Sequence, residues 1–247
     1  MISLHELEEQ LKARTIELQQ ANEAAELYLD LMGHDINNLN HIALGYLEMA
    51  SLKLDLSTEE KELIEKPREA IAASSKLIGD LRSLRLVIAG EIECKIMDLD
   101  TILSQSLATS RINGFMIKYT GQPGSIIMGN DLLIETFTSI ILSIIRGMEV
   151  PAWIDITLSS QVNKCEKYYR VTIENHEPSV LYDFINRLFT PWKAGQPTRG
   201  TKDSGLYLAK RVIESCGGTI SIEERIEGDP GKGWRFVVIL PALNKLH

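Results

Sequence analysis

Leu4, Leu7, Leu11, Leu18, Ala21, Ala25, Tyr28, Met32, Leu39, Ile42, Tyr46 and Met49 recur at alternating steps of three and four, with Arg14 and Asp35 interrupting the series. That period is the seam of a coiled coil or helical bundle. It predicts a first helix from about Ser3 to Leu54, in which a coiled-coil lead-in runs into a bundle. The turn DLSTEE follows, with Ser57 and Glu60 at capping-box spacing. A second amphipathic helix then carries Leu63, Ile64, Ala70, Ile71, Leu77, Ile78, Leu81, Leu84 and Ile88, with Pro67 placed to kink it. Two helices cannot bury both apolar faces. The pattern therefore predicts an antiparallel hairpin that pairs with a second copy of itself, a homodimeric four-helix bundle.

Gly90 marks a boundary, with a helical segment over 1–90 and a mixed one over 91–247. EIECKIMDL, FMIKYT and SIIMGN read as strands, with DTILSQSLATS as a helix after the first. Asn130 can cap the helix DLLIETFTSIILSIIRG. AWIDITLSSQV and KYYRVTIEN alternate with period two and predict an antiparallel hairpin joined by NKCE. From His176 to Asp203 the chain is rich in Pro and Gly, with LYDFINRLF as its one helical stretch, and reads as a loop region. SGLYLAKRVIESCGG is a helix stopped by Gly217 and Gly218. TISIEERIE and GWRFVVILP close the chain through the turn GDPGK. This order predicts one mixed sheet covered on one face by helices, so that the fold class is α+β, a helical hairpin followed by an α/β sandwich.

Composition narrows the function classes. Of 247 residues 44% are apolar, and the mean hydropathy is close to zero, as in globular proteins. The longest apolar run, Ile140 to Ile145 with Ser143 inside it, is far short of the roughly 20 residues a bilayer requires. The acidic, heptad-patterned N-terminus resembles neither a signal nor a transit peptide, which predicts a cytoplasmic protein. A net charge of -8 and the lack of a basic stripe argue against nucleic acid and for a protein or small-molecule partner. Cys94, Cys165 and Cys216 have no metal-ligand spacing, predicting no metal site and reduced thiols in a core.

One stretch of the first helix brings chemistry together. In Leu31-Met32-Gly33-His34-Asp35-Ile36-Asn37-Asn38 a histidine, an adjacent carboxylate and an amide lie within one turn, and His34 and Asn38, four apart, share a face. His34 stands two residues past the seam position Met32, so its ring points off the apolar stripe. An exposed, positioned imidazole is chemically available.

LMGHDINNLN followed by GYLEMA resembles the H-box of sensor histidine kinases, in its His-Asp-x-x-Asn form. The second half is similar to the ATP-binding domain of that family, the fold shared with gyrase and Hsp90-type ATPases. RLFTPW, Arg187 to Trp192, resembles its phenylalanine box, and LYLAKRVIESCGGTISIE its helix and strand after the second glycine box. The resemblance implies ATP and Mg2+ as cofactors and a response-regulator receiver domain as partner. It also implies that His34 is the catalytic nucleophile and forms a phosphoramidate. Asp35 holds the reactive tautomer of the ring, and Asn38 orients a water that hydrolyses the regulator's aspartyl phosphate.

The nucleotide motifs depart from the family pattern. The Asn box appears as SIILSI, with Ser139 and Ser143 at the amide positions, and a serine hydroxyl is a short substitute for a magnesium-binding amide. In NHEPS, Asn175 replaces the adenine-binding aspartate, and an amide oxygen accepts that hydrogen bond more weakly. Glu177 and Ser179 stand at glycine positions, where side chains hinder close approach of the nucleotide. The second glycine box is reduced to TKDSGLYL, keeping Gly205 and weakening the backbone phosphate cradle.

Together these changes predict that ATP binding and ATP-dependent autophosphorylation are impaired. A diverged site that still binds ATP through Ser139, Ser143, Asn175 and Gly205 stays open as the other reading. Three functions compete. One is a histidine-kinase-family protein whose His34 exchanges phosphate with a regulator, fed where necessary by a partner kinase. The second is a dimeric histidine phosphotransferase of the sporulation-relay type, and the third a non-catalytic docking scaffold. Heptads starting almost at Met1 suggest the output end of a longer signalling protein or a partner of one.

Overall fold

The computed structural model describes residues 4–110, 115–145, 148, 152–163, 166–176 and 204–243. Along them run α1 (Leu4–Lys53), α2 (Thr58–Ala89), β1 (Lys95–Asp98), α3 (Leu99–Ser110), β2 (Phe115–Thr120), β3 (Ile126–Gly129), α4 (Leu132–Ile145), β4 (Ala152–Asn163), β5 (Glu166–Asn175), α5 (Ser204–Ser215), β6 (Thr219–Glu224), a 3-10 turn (Pro230–Lys232) and β7 (Trp234–Pro241). The chain divides into two compact units, Met1–Arg85 and Leu86–His247.

In the first unit α1 and α2 form an antiparallel hairpin. Asp30 pairs with Arg82 at 3.3 Å and Glu26 with Arg85 at 3.6 Å. Nearer the turn, Asn40 Nδ2 donates to Ser75 Oγ at 2.9 Å and to Ser74 Oγ at 3.3 Å. As positions advance along α1 their partners retreat along α2, which is the antiparallel register. Gly33 is buried, and a Cβ built on it would stand 3.0 Å from Ile78 Cγ2, so the lack of a side chain there lets the helices approach. The capping box forms as its spacing predicts. Ser57 N donates to Glu60 Oε2 at 2.9 Å, and Glu60 N to Ser57 Oγ at 3.4 Å. Pro67 lies inside α2, which remains helical on both sides of it.

The hairpin leaves much of its apolar seam uncovered. Met32, Leu39, Ile42 and Tyr46 are each more than half exposed. Such a stripe is an exposed apolar patch on the hairpin.

The second unit is an α/β sandwich. Its main sheet has the order β2-β4-β5-β7-β6, with β2 parallel to β4 and the other pairs antiparallel. Period-two alternation sends Ile154, Ile156 and Leu158 of β4, Val171 and Ile173 of β5 and Phe236 and Val238 of β7 inward, all buried. The helices supply the other half of the core through Leu103, Phe137, Ile140, Ile141, Val212 and Ile213. Contrary to the single sheet expected from sequence, β1 and β3 form a separate two-stranded antiparallel sheet. Each has four residues, and an isolated bridge from Ile127 to Ala242 and a bond from Leu243 N to Ile126 O at 2.8 Å join β3 to the residues that follow β7.

Asn130 caps α4 by accepting from Leu132 N at 3.1 Å. At the far end of α5, Gly218 N donates to Ile213 O at 2.9 Å and Gly217 adopts φ +73°. These bonds terminate the helix where the two glycines predict. The helix expected within 181–189 and the phenylalanine box Arg187 to Trp192 lie outside the described residues. Cys94 corrects the expectation of buried thiols. It is exposed just before the short edge strand β1, whereas Cys216 is buried.

Candidate functional site

His34 sits midway along α1 with its side chain 74% exposed. Its Nδ1 lies 3.2 Å from Asp35 Oδ1 and 3.2 Å from Asn38 Nδ2. The helix brings the three groups together, since Asn38 is one turn beyond His34 and Asp35 is its immediate neighbour. The two contacts make opposite demands on one nitrogen. Asp35 accepts only if Nδ1 carries the proton, and Asn38 Nδ2 donates only if Nδ1 presents its lone pair. A neutral ring satisfies one at a time, so whichever neighbour holds Nδ1 decides whether Nε2 is a nucleophile or an N–H. The exposure of the side chain leaves the ring open to solvent.

The four positions aligned with the nucleotide motifs do not converge. Ser139 on α4 and Gly205 in the first turn of α5 face each other across a shallow cleft. Its walls are completed by Leu132, Glu135, Thr136, Leu208 and Ala209, and its volume is about 190 Å3 including the open mouth. Ser143 does not line it. The Ser143 hydroxyl donates back to Ile140 O of its own helix at 2.7 Å, the ordinary fate of a serine within a helix.

Asn175 is also spent within the fold. It is 2% exposed, and its Oδ1 accepts from Trp234 N at 2.6 Å. Beside it Gly233 has φ +100°, and a Cβ there would fall 2.2 Å from Asn175 O. Glycine is therefore required for the chain to pass this close. The register explains the burial: Asn175 follows Val171 and Ile173 on the inward face of β5 and stands opposite Ile154 of β4. That signal was present in the sequence, because Tyr169, Val171, Ile173 and Asn175 form the inward set of one alternating strand.

The residues present thus do not reproduce the family's ligand set for a magnesium nucleotide. Ser143, which the resemblance aligns with the magnesium ligand, has its hydroxyl turned onto its own helix, and Asn175, which it aligns with the adenine-binding aspartate, has its amide oxygen holding a backbone N–H. Among the described residues no cluster of His, Cys, Asp and Glu is arranged to hold a metal ion. Glu177 and Ser179 lie outside the described residues.

Sequence reasoning passed over Glu135 and Thr136, which share the cleft with Ser139, and their i, i+3 and i, i+4 spacing from it was the available clue. His176, read from sequence as a loop residue without a functional partner, has its Nε2 2.8 Å from Asp155 Oδ2. No helix among the described residues is long and apolar enough to cross a membrane.

Residues 129–244 match the model of the histidine kinase-, DNA gyrase B- and HSP90-like ATPases. Among solved structures the chain is similar to the mycobacterial sensor histidine kinase MprB, with 15% identity and a TM-score of 0.51 over 61% of this chain and 98% of that one. It is also similar to the Acinetobacter baumannii histidine kinase AdeS, with 17% identity and a TM-score of 0.53 over 83% and 96%. A third likeness is to full-length ShkA in complex with AMPPNP, with 18% identity and a TM-score of 0.63 over 87% of this chain and 46% of that one. At these identities the structures speak to the fold. No curated protein matches the sequence. The resemblance to histidine kinases drawn from the motifs agrees with both the domain match and the fold.

Proposed function

We propose that this chain, whose residues 129–244 match the model of the histidine kinase-, DNA gyrase B- and HSP90-like ATPases, is a two-component signalling protein in which His34 exchanges a phosphoryl group with a response-regulator aspartate. The observation that carries the reading is the exposed His34 ring with Asp35 and Asn38 both 3.2 Å from its Nδ1. Residues 1–90 serve as the dimerisation and phosphotransfer hairpin, and 91–247 as an ATPase-like domain.

In the transfer, Asp35 accepts a hydrogen bond from Nδ1–H and leaves the Nε2 lone pair free. Nε2 attacks the phosphorus of the regulator's aspartyl phosphate, the N–P bond forms, and the acyl-phosphate O–P bond breaks to return the aspartate. The positive charge that develops on the ring is stabilised by the Asp35 carboxylate. The same chemistry runs in reverse. When Asn38 instead donates to Nδ1, the proton sits on Nε2 and the ring is unreactive, which leaves the site to water-mediated loss of the regulator's phosphate.

The dispersed Ser143 and Asn175 favour a phosphate donor other than ATP bound to this chain, such as a regulator or a partner kinase. The uncovered seam of Met32, Ile42 and Tyr46 is closed by a second copy, completing a four-helix bundle.

Incubating the purified protein with a phosphorylated receiver domain tests the reading. Label is expected on the wild type, none on His34→Gln, and slower loss of regulator phosphate with Asn38→Ala. Equal label on wild type and His34→Gln refutes the phosphotransfer role. It leaves a docking scaffold.

A further inference from the structure

The reactive turn of α1 is aimed by contacts made on another side of the same helix. At about 100° per residue, Asn40 stands about 120° round α1 from His34 and about 160° from Asn38. A contact that holds Asn40 against α2 therefore holds His34 and Asn38 away from it. Exposure agrees with this, since His34 and Asn38 are exposed while Asn40 is half-buried.

On the side of α1 that meets α2 the spacing places Glu26, Asp30, Gly33, Asn37 and Asn40. None of the five is an apolar side chain. Apolar packing is non-directional, whereas a hydrogen bond weakens steeply as it bends. On this stripe the rotation of α1 about its axis is therefore set by polar contacts. The Glu26–Arg85 and Asp30–Arg82 pairs, at 3.6 and 3.3 Å, are partly exposed, and such pairs are screened by salt. Gly33 permits close approach to Ile78 without directing it. Asn37 Oδ1 is buried with no hydrogen-bond partner among the described residues. Asn40 makes the directed, part-buried contact, its Nδ2 donating to Ser75 Oγ at 2.9 Å and to Ser74 Oγ at 3.3 Å.

We propose that Asn40 is a positioning residue of the His34 site. Through Ser74 and Ser75 it fixes the rotation of α1, so that the imidazole and the Asn38 amide face an incoming receiver domain. The inference rests on the phosphotransfer reading and adds the residues that orient the reacting groups. A rotation of α1 carries Nε2 sideways, and a misplacement of about 1 Å costs a reaction on the order of 100-fold. A turn that is loosened, with the wild-type setting still sampled, should lose about tenfold.

The test follows transfer of label from a phosphorylated receiver domain to the full chain over a range of receiver concentrations. It compares wild type with Asn40→Ala, with Ser74→Ala and Ser75→Ala together, with all three substitutions combined, and with Ser57→Ala. The last removes the capping box and weakens the same hairpin away from the reactive turn. Asn40→Ala and the serine pair are each expected to lower kcat about tenfold with KM within about threefold of wild type, and the combined variant to fall no further. Ser57→Ala should keep the wild-type kcat. Should Asn40→Ala fail to fold, the serine pair set against Ser57→Ala decides. Wild-type kcat in Asn40→Ala or in the serine pair, an equal loss in Ser57→Ala, or losses that multiply in the combined variant overturn the proposal. A wild type that takes no label on His34 overturns phosphotransfer itself, and the positioning role with it.

Discussion

Replacing Asn175 by alanine separates a structural from a ligand-binding role at a position the motif alignment assigns to adenine. In the structure its Oδ1 accepts from the buried Trp234 N–H at 2.6 Å. Alanine removes that acceptor from a buried N–H, which costs about 1–3 kcal/mol. The missing amide also leaves a small void beside Gly233, adding about 1 kcal/mol. The sum is about 2–4 kcal/mol. For a unit the length of Leu86–His247, at about 3 °C per kcal/mol, the midpoint should fall by about 6–12 °C. Differential scanning calorimetry of the full chain measures this on the transition of the second unit, with Ser139→Ala, facing the open cleft, as control. The control should move it by less than about 2 °C, the size expected of a surface change. If Asn175→Ala shifts the transition no further than Ser139→Ala, the amide is not part of the fold's hydrogen bonding, and the argument that it is unavailable to a nucleotide falls.

Other outcomes follow from the same geometry. Ile42→Lys and Tyr46→Lys place charges on the uncovered seam and should convert dimer to monomer in sedimentation, and dimers of unchanged affinity would move the interface elsewhere. Asn40→Ala, which loses the bonds to Ser74 and Ser75, should destabilise the hairpin by about 1 kcal/mol in urea unfolding, whereas no change would mean that water replaces them freely. The Glu60 carboxyl is held below the usual carboxylate range by its hydrogen bonds from the Ser57 hydroxyl and backbone. A group lowered on folding stabilises above its unfolded pKa and loses that contribution as pH falls through the folded one. The stability difference between wild type and Ser57→Ala should therefore be full near neutral pH and shrink below about pH 4, and a difference that grows on acidification would contradict this sign.

Much of the fold was legible because it is written in local periods. The three-and-four steps of α1, the capping box before α2, the cap at Asn130 and the glycine stop after α5 each depend on residues within a few positions of one another. The stretch that resembles an H-box was legible for the same reason, since a helix alone brings His34, Asp35 and Asn38 together. The nucleotide-site positions were legible as substitutions but not as geometry. Ser139, Ser143, Asn175 and Gly205 lie on three elements, and spacing along the chain says nothing about which of them turn inward. Asn175 shows the limit most clearly: alternation alone sends it into the core, yet nothing local names the Trp234 N–H that it meets there.

The sequence by itself determined the helical hairpin, the sandwich elements and the chemistry held on α1, because those follow from backbone hydrogen bonding and side-chain periodicity over one or two turns. Tertiary structure decided the rest. It split β1 and β3 into a sheet of their own, brought Ser139 to Gly205 while turning Ser143 away, and locked Asn175 against Gly233. Each of these rests on contacts between residues distant in the chain, whose pairing is selected by packing the whole core and not by any local pattern.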